Sequence, residues 1–172
     1  MNETLYRVSA NPHVRDKSST QSIMLDVILA LLPATVFGIY IFGASAAVTI
    51  AVSIVTCVAA EYIYQKLMKQ KVSVSDLSAA VTGLLLALNL PAGVPFWMPV
   101  LGGLFAIIVV KQVFGGLGQN FMNPALGARC FLMISFAARM TTFTYDGVTT
   151  ATPLALLKAG KSVDLGSVFT GF

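Results

Sequence analysis

The residues whose types and spacing best suit chemistry form one run, Asp146-Gly147-Val148-Thr149-Thr150-Ala151-Thr152-Pro153-Leu154. Thr152 stands directly before Pro153 and an apolar Leu-Ala-Leu-Leu-Lys stretch, the pattern of an N-cap, an N1 proline and a short helix. Lys158 in the last turn and Gly160 just beyond it suit the end of that helix, so a short helix is predicted over 153–159. Read plainly, the Thr152 hydroxyl caps a helix in an exposed loop. The same geometry has a second use. A helix N-terminus offers unpaired N–H groups and the positive end of a dipole, which together hold a phosphate well. A phosphate esterified to the Thr152 oxygen would lie at that position. Asp146 is suited to start the turn by an Asx-type hydrogen bond.

The rest of the chain offers little reactive chemistry. It has one histidine, His13, in a polar N-terminal segment, and no nucleophile–base pair. Cys57 and Cys130 both lie in apolar stretches without C-x-x-C spacing and read as small buried hydrophobes. Two cysteines cannot by themselves supply the four thiolates of an iron–sulfur cluster, and no metal site is expected. Three charged residues interrupt apolar runs: Asp26, Glu61 and Arg129. Asp26 and Glu61 have two readings, a cation pathway or a hydrogen-bonded structural role. Arg129 is expected to meet an anionic group or a helix-end carbonyl, near the inner end of its span.

The elements that position these residues follow from composition. Of 172 residues 56% are hydrophobic and only 10% are charged. Mean hydropathy is +0.82. Soluble domains carry about 25% charged residues. This chain has too little charge to coat a water-facing surface, which excludes a soluble single-core enzyme and a disordered chain. The net charge of +4 comes without a basic run interleaved with aromatics, so nucleic acid is not an expected partner. The expected surroundings are lipid and other membrane helices.

An all-α membrane protein with about five transmembrane helices is predicted. Residues 1–22 are a polar, mildly basic segment with no signal-peptide pattern. Apolar spans are expected at about 23–43, 44–64, 77–92, 96–114 and 125–140. A run of 21 residues rises about 30 Å, one bilayer crossing. Only Gly43-Ala44-Ser45 separates the first two spans, so they should form an antiparallel hairpin. Leu90-Pro91-Ala92-Gly93-Val94-Pro95 breaks the third from the fourth, and Trp97 sits where an interfacial aromatic would sit. Residues 141–172 form a polar loop with the short helix. Gly115 to Pro124, GGLGQNFMNP, reads either as a tight turn or as irregular backbone lining a cavity at membrane depth.

With the N-terminus inside, Arg7, Arg15, Lys17, Lys66, Lys69, Lys71 and Lys111 fall on the cytoplasmic side. Arg139, Lys158 and Lys161 fall outside. Seven against three favours a cytoplasmic N-terminus and residues 141–172 on the outer face.

Asp-Gly-Val-Thr-Thr-Ala-Thr resembles the D-x-x-[S/T]-G-A-T signature of proteins that carry FMN covalently, through a phosphoester to the last threonine. Around it, Asn11-Pro12-His13, Ala30 to Ala34 (ALLPA) and Gly115 to Leu126 (GGLGQNFMNPAL) resemble the RnfD/NqrB family of membrane redox pumps. The likeness runs from the N-terminus to about residue 165. It implies covalent FMN on Thr152, installed by a flavin transferase from FAD, with Asp146, Thr149, Thr150 and Ala151 as the surrounding motif. Asp146 would then also serve the transferase. Thr150 stands where the family signature has glycine, and Thr149 and Thr150 are the alternative attachment residues. The resemblance further implies two inverted five-helix repeats, of which this chain carries the first. It implies a membrane subunit of the Rnf complex, a ferredoxin:NAD oxidoreductase coupled to Na⁺ or H⁺ transport in the cytoplasmic membrane. Iron–sulfur centres and soluble flavoprotein domains would come from the other subunits, and a second flavin, riboflavin, is a further possible cofactor. In this family the covalent flavin lies on the outer face, the side that the charge count gives for Thr152. The competing reading is half of a non-redox inverted-repeat transporter or channel. The flavin motif separates the two.

Overall fold

The structure is a computed structural model, and it describes residues 19–70, 72–141, 143–145, 148–150 and 158. Helix α1 spans Thr20–Phe42 and α2 spans Ala44–Leu67. Ser19 opens α1 with a capping box. Its hydroxyl accepts the Ser22 N–H at 3.2 Å, and the Ser22 hydroxyl accepts the Ser19 N–H at 3.1 Å. Gly43 alone separates the two helices. Its φ of 68° is left-handed, and its N–H donates to the Ile39 carbonyl at 2.8 Å. This one-residue connection turns the chain from α1 into α2.

The remaining helices are shorter. Helix α3 is Ser78–Leu88, preceded by a 3₁₀ turn at Val74–Asp76. Helix α4 is Trp97–Leu104 and continues without a break as a π-helix over Phe105–Gln112. Helix α5 is Pro124–Ser135, capped by the Asn123 side chain, and α6 is Ala137–Met140. Among the described residues only α1 and α2 have both the length and the apolar composition to cross a bilayer. The stretches 78–88, 97–112 and 124–135 are apolar but shorter. Asn89 to Pro91 stops α3 early, and Phe136, at φ −134° and ψ 46°, interrupts the last expected span.

Helix α2 is the centre of the bundle and packs against α3, α4 and the π-helix. Its closest crossing is with α3. The Ser53 hydroxyl donates to the Gly83 carbonyl at 2.8 Å. A Cβ added at Gly83 would sit 2.7 Å from the Ile54 Cα and 2.9 Å from the Ser53 oxygen. Small residues at such a crossing let two backbones meet in lipid, where dispersion replaces the hydrophobic drive. A second cluster joins α3, α4 and α5 through Leu86, Met98, Ala106, Ala128 and Leu132, and Met140 extends it.

Trp97 is not an exposed interfacial ring. It is half-buried against this cluster, edge-on to Phe136 with centroids 5.0 Å apart. Cys57 is buried as expected, but Cys130 is exposed. It lies on the outward side of α5, between buried Ala128 and buried Leu132. After α6 the chain forms a two-stranded antiparallel hairpin, β1 at Phe143–Tyr145 and β2 at Val148–Thr150. The architecture is that of an all-α membrane protein carrying this one small hairpin.

The Gly83 crossing makes a direct prediction. Gly83→Ala should lower stability by about 1–3 kcal/mol, because the new methyl meets backbone that cannot yield. Gly38→Ala, with nothing within 4 Å of its added Cβ, should be neutral or slightly stabilising. Thermal unfolding in detergent, followed by circular dichroism, distinguishes the two.

Candidate functional site

Two regions carry the polar chemistry of the fold. The first is a buried ion pair. Lys111 Nζ donates to both Glu61 oxygens at 2.8 Å. Glu61 is fully buried and Lys111 is 2% exposed. Glu61 Oε1 also accepts from Gln112 Nε2 at 2.9 Å and from Gln65 Nε2 at 3.2 Å. Lys111 Nζ further donates to Ser78 Oγ at 2.6 Å, and Ser78 Oγ donates to Asp76. Gln65 ties Ser73 in by two more bonds, at 2.8 and 2.9 Å. A buried charge pair offsets its desolvation only when its remaining lone pairs and protons are satisfied. Here they are. Among the described residues no buried side-chain nitrogen or oxygen lacks a partner.

Local backbone explains how the groups meet. Consecutive residues of an α-helix point about 100° apart, and two of them rarely reach one target. In the wider π-helix Lys111 and Gln112 both do. Two bonds of the same i to i−5 type follow at its C-terminal end, from the Val113 N–H to the Ile108 carbonyl and from the Gly116 N–H to the Lys111 carbonyl, both at 3.0 Å. Such π segments recur at functional sites. On α3, Leu77 holds a left-handed φ of 64°, a strained conformation for leucine. Asp76 compensates by accepting the Ser78 N–H at 2.9 Å, which sets the Ser78 hydroxyl toward Lys111.

The Gly-rich segment after the π-helix is a series of turns with positive φ at Gly115, Gly116 and Gly118. Asn120 and Asn123 from it line a cavity of about 170 Å³ together with Met24, Ser78, Thr82 and Lys111. The segment is thus irregular backbone beside a cavity, next to the ion pair.

The structure redraws the expectations for the charged residues. Lys111 does not act as a solvent-facing topology charge, because its ammonium is engaged by Glu61; without it the expected count for a cytoplasmic N-terminus becomes six against three. Glu61 is the hydrogen-bonded centre of a network. Asp26 is exposed on α1. Arg129 stands midway along α5. Its Nη1 donates to Asn89 Oδ1 at 2.7 Å, at the end of α3 opposite Ser78. Asn89 closes α3 through its amide, which donates to the Leu85 carbonyl at 2.8 Å, and so leaves its oxygen for Arg129. Lys111, Gln65, Gln112 and Ser78 are site residues that sequence reasoning does not reach. Gln65, four residues after Glu61, is the one sequence signal for the network.

The second region is the hairpin. Phe143 pairs with Thr150, Thr144 with Thr149 and Tyr145 with Val148. Thr149 and Thr150 therefore belong to strand β2. In chain order Asp146 and Gly147 fill the gap between the strands, where Asp-Gly between Tyr and Val is a hairpin signal. Asp146, Ala151 and Thr152 lie outside the described residues, as does the helix expected over 153–159 apart from Lys158. Among the described residues no three His, Cys, Asp or Glu side chains group as metal ligands.

Long apolar helices, a helix-bound charge network and an outlying hairpin define an all-α membrane protein. Its sequence from residue 7 to residue 172 matches the model of the NQR2, RnfD, RnfE family, and the chain belongs to that family. One relative is a subunit of the Na(+)-translocating ferredoxin:NAD(+) oxidoreductase complex of Acetobacterium woodii, 53% identical over 99% of this chain and 56% of the relative. Another belongs to the proton-translocating ferredoxin:NAD(+) oxidoreductase complex of Clostridium ljungdahlii, 42% identical over 98% of this chain and 53% of the relative. A third belongs to the ion-translocating oxidoreductase complex of Yersinia enterocolitica, 41% identical over 96% of this chain and 46% of the relative. All three carry the same subunit designation within their complexes. The chain spans about half the length of these curated relatives.

The ion pair yields the second prediction. Glu61→Gln or Lys111→Met alone leaves one buried charge and should cost about 3–5 kcal/mol. The double variant should lose clearly less than the sum of the two. Unfolding midpoints of the four proteins in detergent measure the coupling.

Proposed function

We propose that the chain is part of the membrane subunit of an ion-translocating ferredoxin:NAD oxidoreductase complex and carries FMN covalently on Thr152. The observation that carries this reading is the family match over residues 7–172, with the Asp146 to Thr152 motif inside it. Relatives named as the corresponding subunit of such complexes support it. Their names differ in the ion, sodium in one and protons in another, so the coupling ion here is Na⁺ or H⁺.

The donor chemistry fits the group. Threonine hydroxyls are what a flavin phosphoester needs, and the motif holds three of them within four residues. Thr149 and Thr150 stand on the backbone of β2, and the motif runs on from the hairpin to Thr152. When bound, the flavin supplies one- and two-electron transfer. The protein's part is to anchor and orient it. Thr152 holds the phosphate, the N–H groups that follow it offset the negative charge, and Asp146 shapes the entry turn and serves recognition by the transferase. The hairpin side faces outward and the N-terminus is cytoplasmic, which the remaining charge bias supports. Other subunits of the complex supply iron–sulfur and soluble flavin centres.

The test is a denaturing gel of the chain made in cells that contain a flavin transferase. The expected outcome is a flavin-fluorescent band that Thr152→Ala abolishes. A dark band for the unaltered chain overturns the redox reading in favour of a transporter without flavin. A variant that stays bright moves the attachment to Thr149 or Thr150.

A further inference from the structure

Among the described residues the β1–β2 sheet has two strands, so each strand has an outer edge that no further strand pairs. The register decides which backbone groups face those edges. Only Asp146 and Gly147 separate Tyr145 from Val148. A pair that closes so short a loop exchanges hydrogen bonds with itself. Hydrogen-bonded and non-hydrogen-bonded pairs then alternate along an antiparallel ladder. Tyr145–Val148 and Phe143–Thr150 are therefore the hydrogen-bonded pairs, and Thr144–Thr149 is the non-hydrogen-bonded one. The Thr149 N–H and C=O point away from β1, to the outer edge of β2. Those of Thr144 point to the outer edge of β1.

The edge of β2 coincides with the modification motif. Ahead of its last three residues, the signature that the motif resembles specifies an aspartate and, three residues on, a serine or threonine. In this chain they are Asp146, in the gap between the strands, and Thr149, the one residue of β2 whose backbone faces outward. Thr152 stands three residues after Thr149 in the chain. An enzyme that acts on Thr152 has to hold the residues that lead up to it. An open strand edge offers main-chain donors and acceptors for that purpose. The hairpin also gains from such an arrangement. Two strands alone are marginal in water, and a third brings a sheet to the size at which it becomes stable.

We propose that the flavin transferase binds this chain by adding a strand of its own to the outer edge of β2, pairing with the Thr149 N–H and C=O. The paired hairpin, and not an unfolded loop, is then the form the enzyme recognises. In that complex the Thr152 hydroxyl oxygen bonds to the flavin-side phosphorus of FAD. The pyrophosphate bond breaks, AMP leaves and the hydroxyl proton is released. The edge belongs to the segment that this enzyme must read, which selects the transferase as its occupant. The proposal rests on covalent FMN at Thr152, as proposed above, and adds how the transferase recognises the chain.

The test follows flavin incorporation into the full-length protein in membranes, with transferase and FAD added. The readout is the initial rate at which the denatured band becomes fluorescent. Thr149→Pro removes the outward N–H, and proline is tolerated at an edge position that donates nothing to its own ladder. The expected rate is about tenfold lower, because main-chain pairing supplies the affinity in strand addition. Thr149→Val keeps the N–H and loses the hydroxyl, and Thr144→Pro removes the matching N–H from the other edge. Both should label at close to the unaltered rate. Amide hydrogen exchange of the unaltered protein gives a reading that needs no variant. Transferase should slow exchange at Thr149 and leave Thr144 unchanged. Undiminished labelling of Thr149→Pro overturns the proposal, as does exchange at Thr149 that the transferase leaves unchanged. So does an equal loss in Thr149→Val, which assigns the effect to the hydroxyl, or in Thr144→Pro, which assigns it to the hairpin as a whole. A dark band for the unaltered protein instead overturns the flavin assignment on which the proposal depends.

Discussion

Glu61 and Lys111 meet at 2.8 Å inside an apolar bundle, fifty residues apart in the chain. Much of the helix geometry is organised around that contact. Two charges withdrawn from water are tolerable only if every donor and acceptor is used. That demand brings in Gln65 from α2, Ser78 from the start of α3 and Gln112 from the π-helix. It accounts for two features that would otherwise be unfavourable. One is the π-helix, which turns two adjacent polar residues to one carboxylate. The other is the left-handed Leu77, which lets Asp76 cap α3 and orient Ser78. Three elements are thereby held in register at one end of the bundle, and the close Ser53–Gly83 crossing continues the α2–α3 contact toward the other.

The long helices are legible in the sequence, and the network is not. Long, almost wholly apolar runs and a lone Gly43 define α1 and α2 because crossing a bilayer imposes a length that composition reveals. Glu61 is visible as an acid inside such a run. Its partner is not, because Lys111 stands at the edge of an apolar stretch and reads equally well as a loop charge. Only the packing of α2 on a helix widened by π-type bonds shows where the ammonium goes. The exposure of Cys130 escapes the sequence for a related reason. A membrane helix is apolar on all sides, so its sequence carries little information about which side faces protein. The hairpin is hidden although Asp-Gly announces it. Thr152-Pro153 supplies a competing helix signal a few residues later.

The two polar regions stand at opposite ends of the chain's path through the bundle, and α5 connects them. It starts beside the ion pair, where Asn123 caps it and lines the cavity with Lys111. Midway, Arg129 reaches Asn89 at the far end of α3. It ends near the Trp97–Phe136 contact, after which α6 buries Met140 in the core. The hairpin begins three residues later. Met140 therefore fixes the chain to the core three residues before the proposed flavin segment begins. An attachment site needs both properties. The last threonine must reach a modifying enzyme, and the segment before it must be fixed well enough to hold the flavin at one distance from its electron partner. A core-anchored Met140 followed by a short paired hairpin serves the second need.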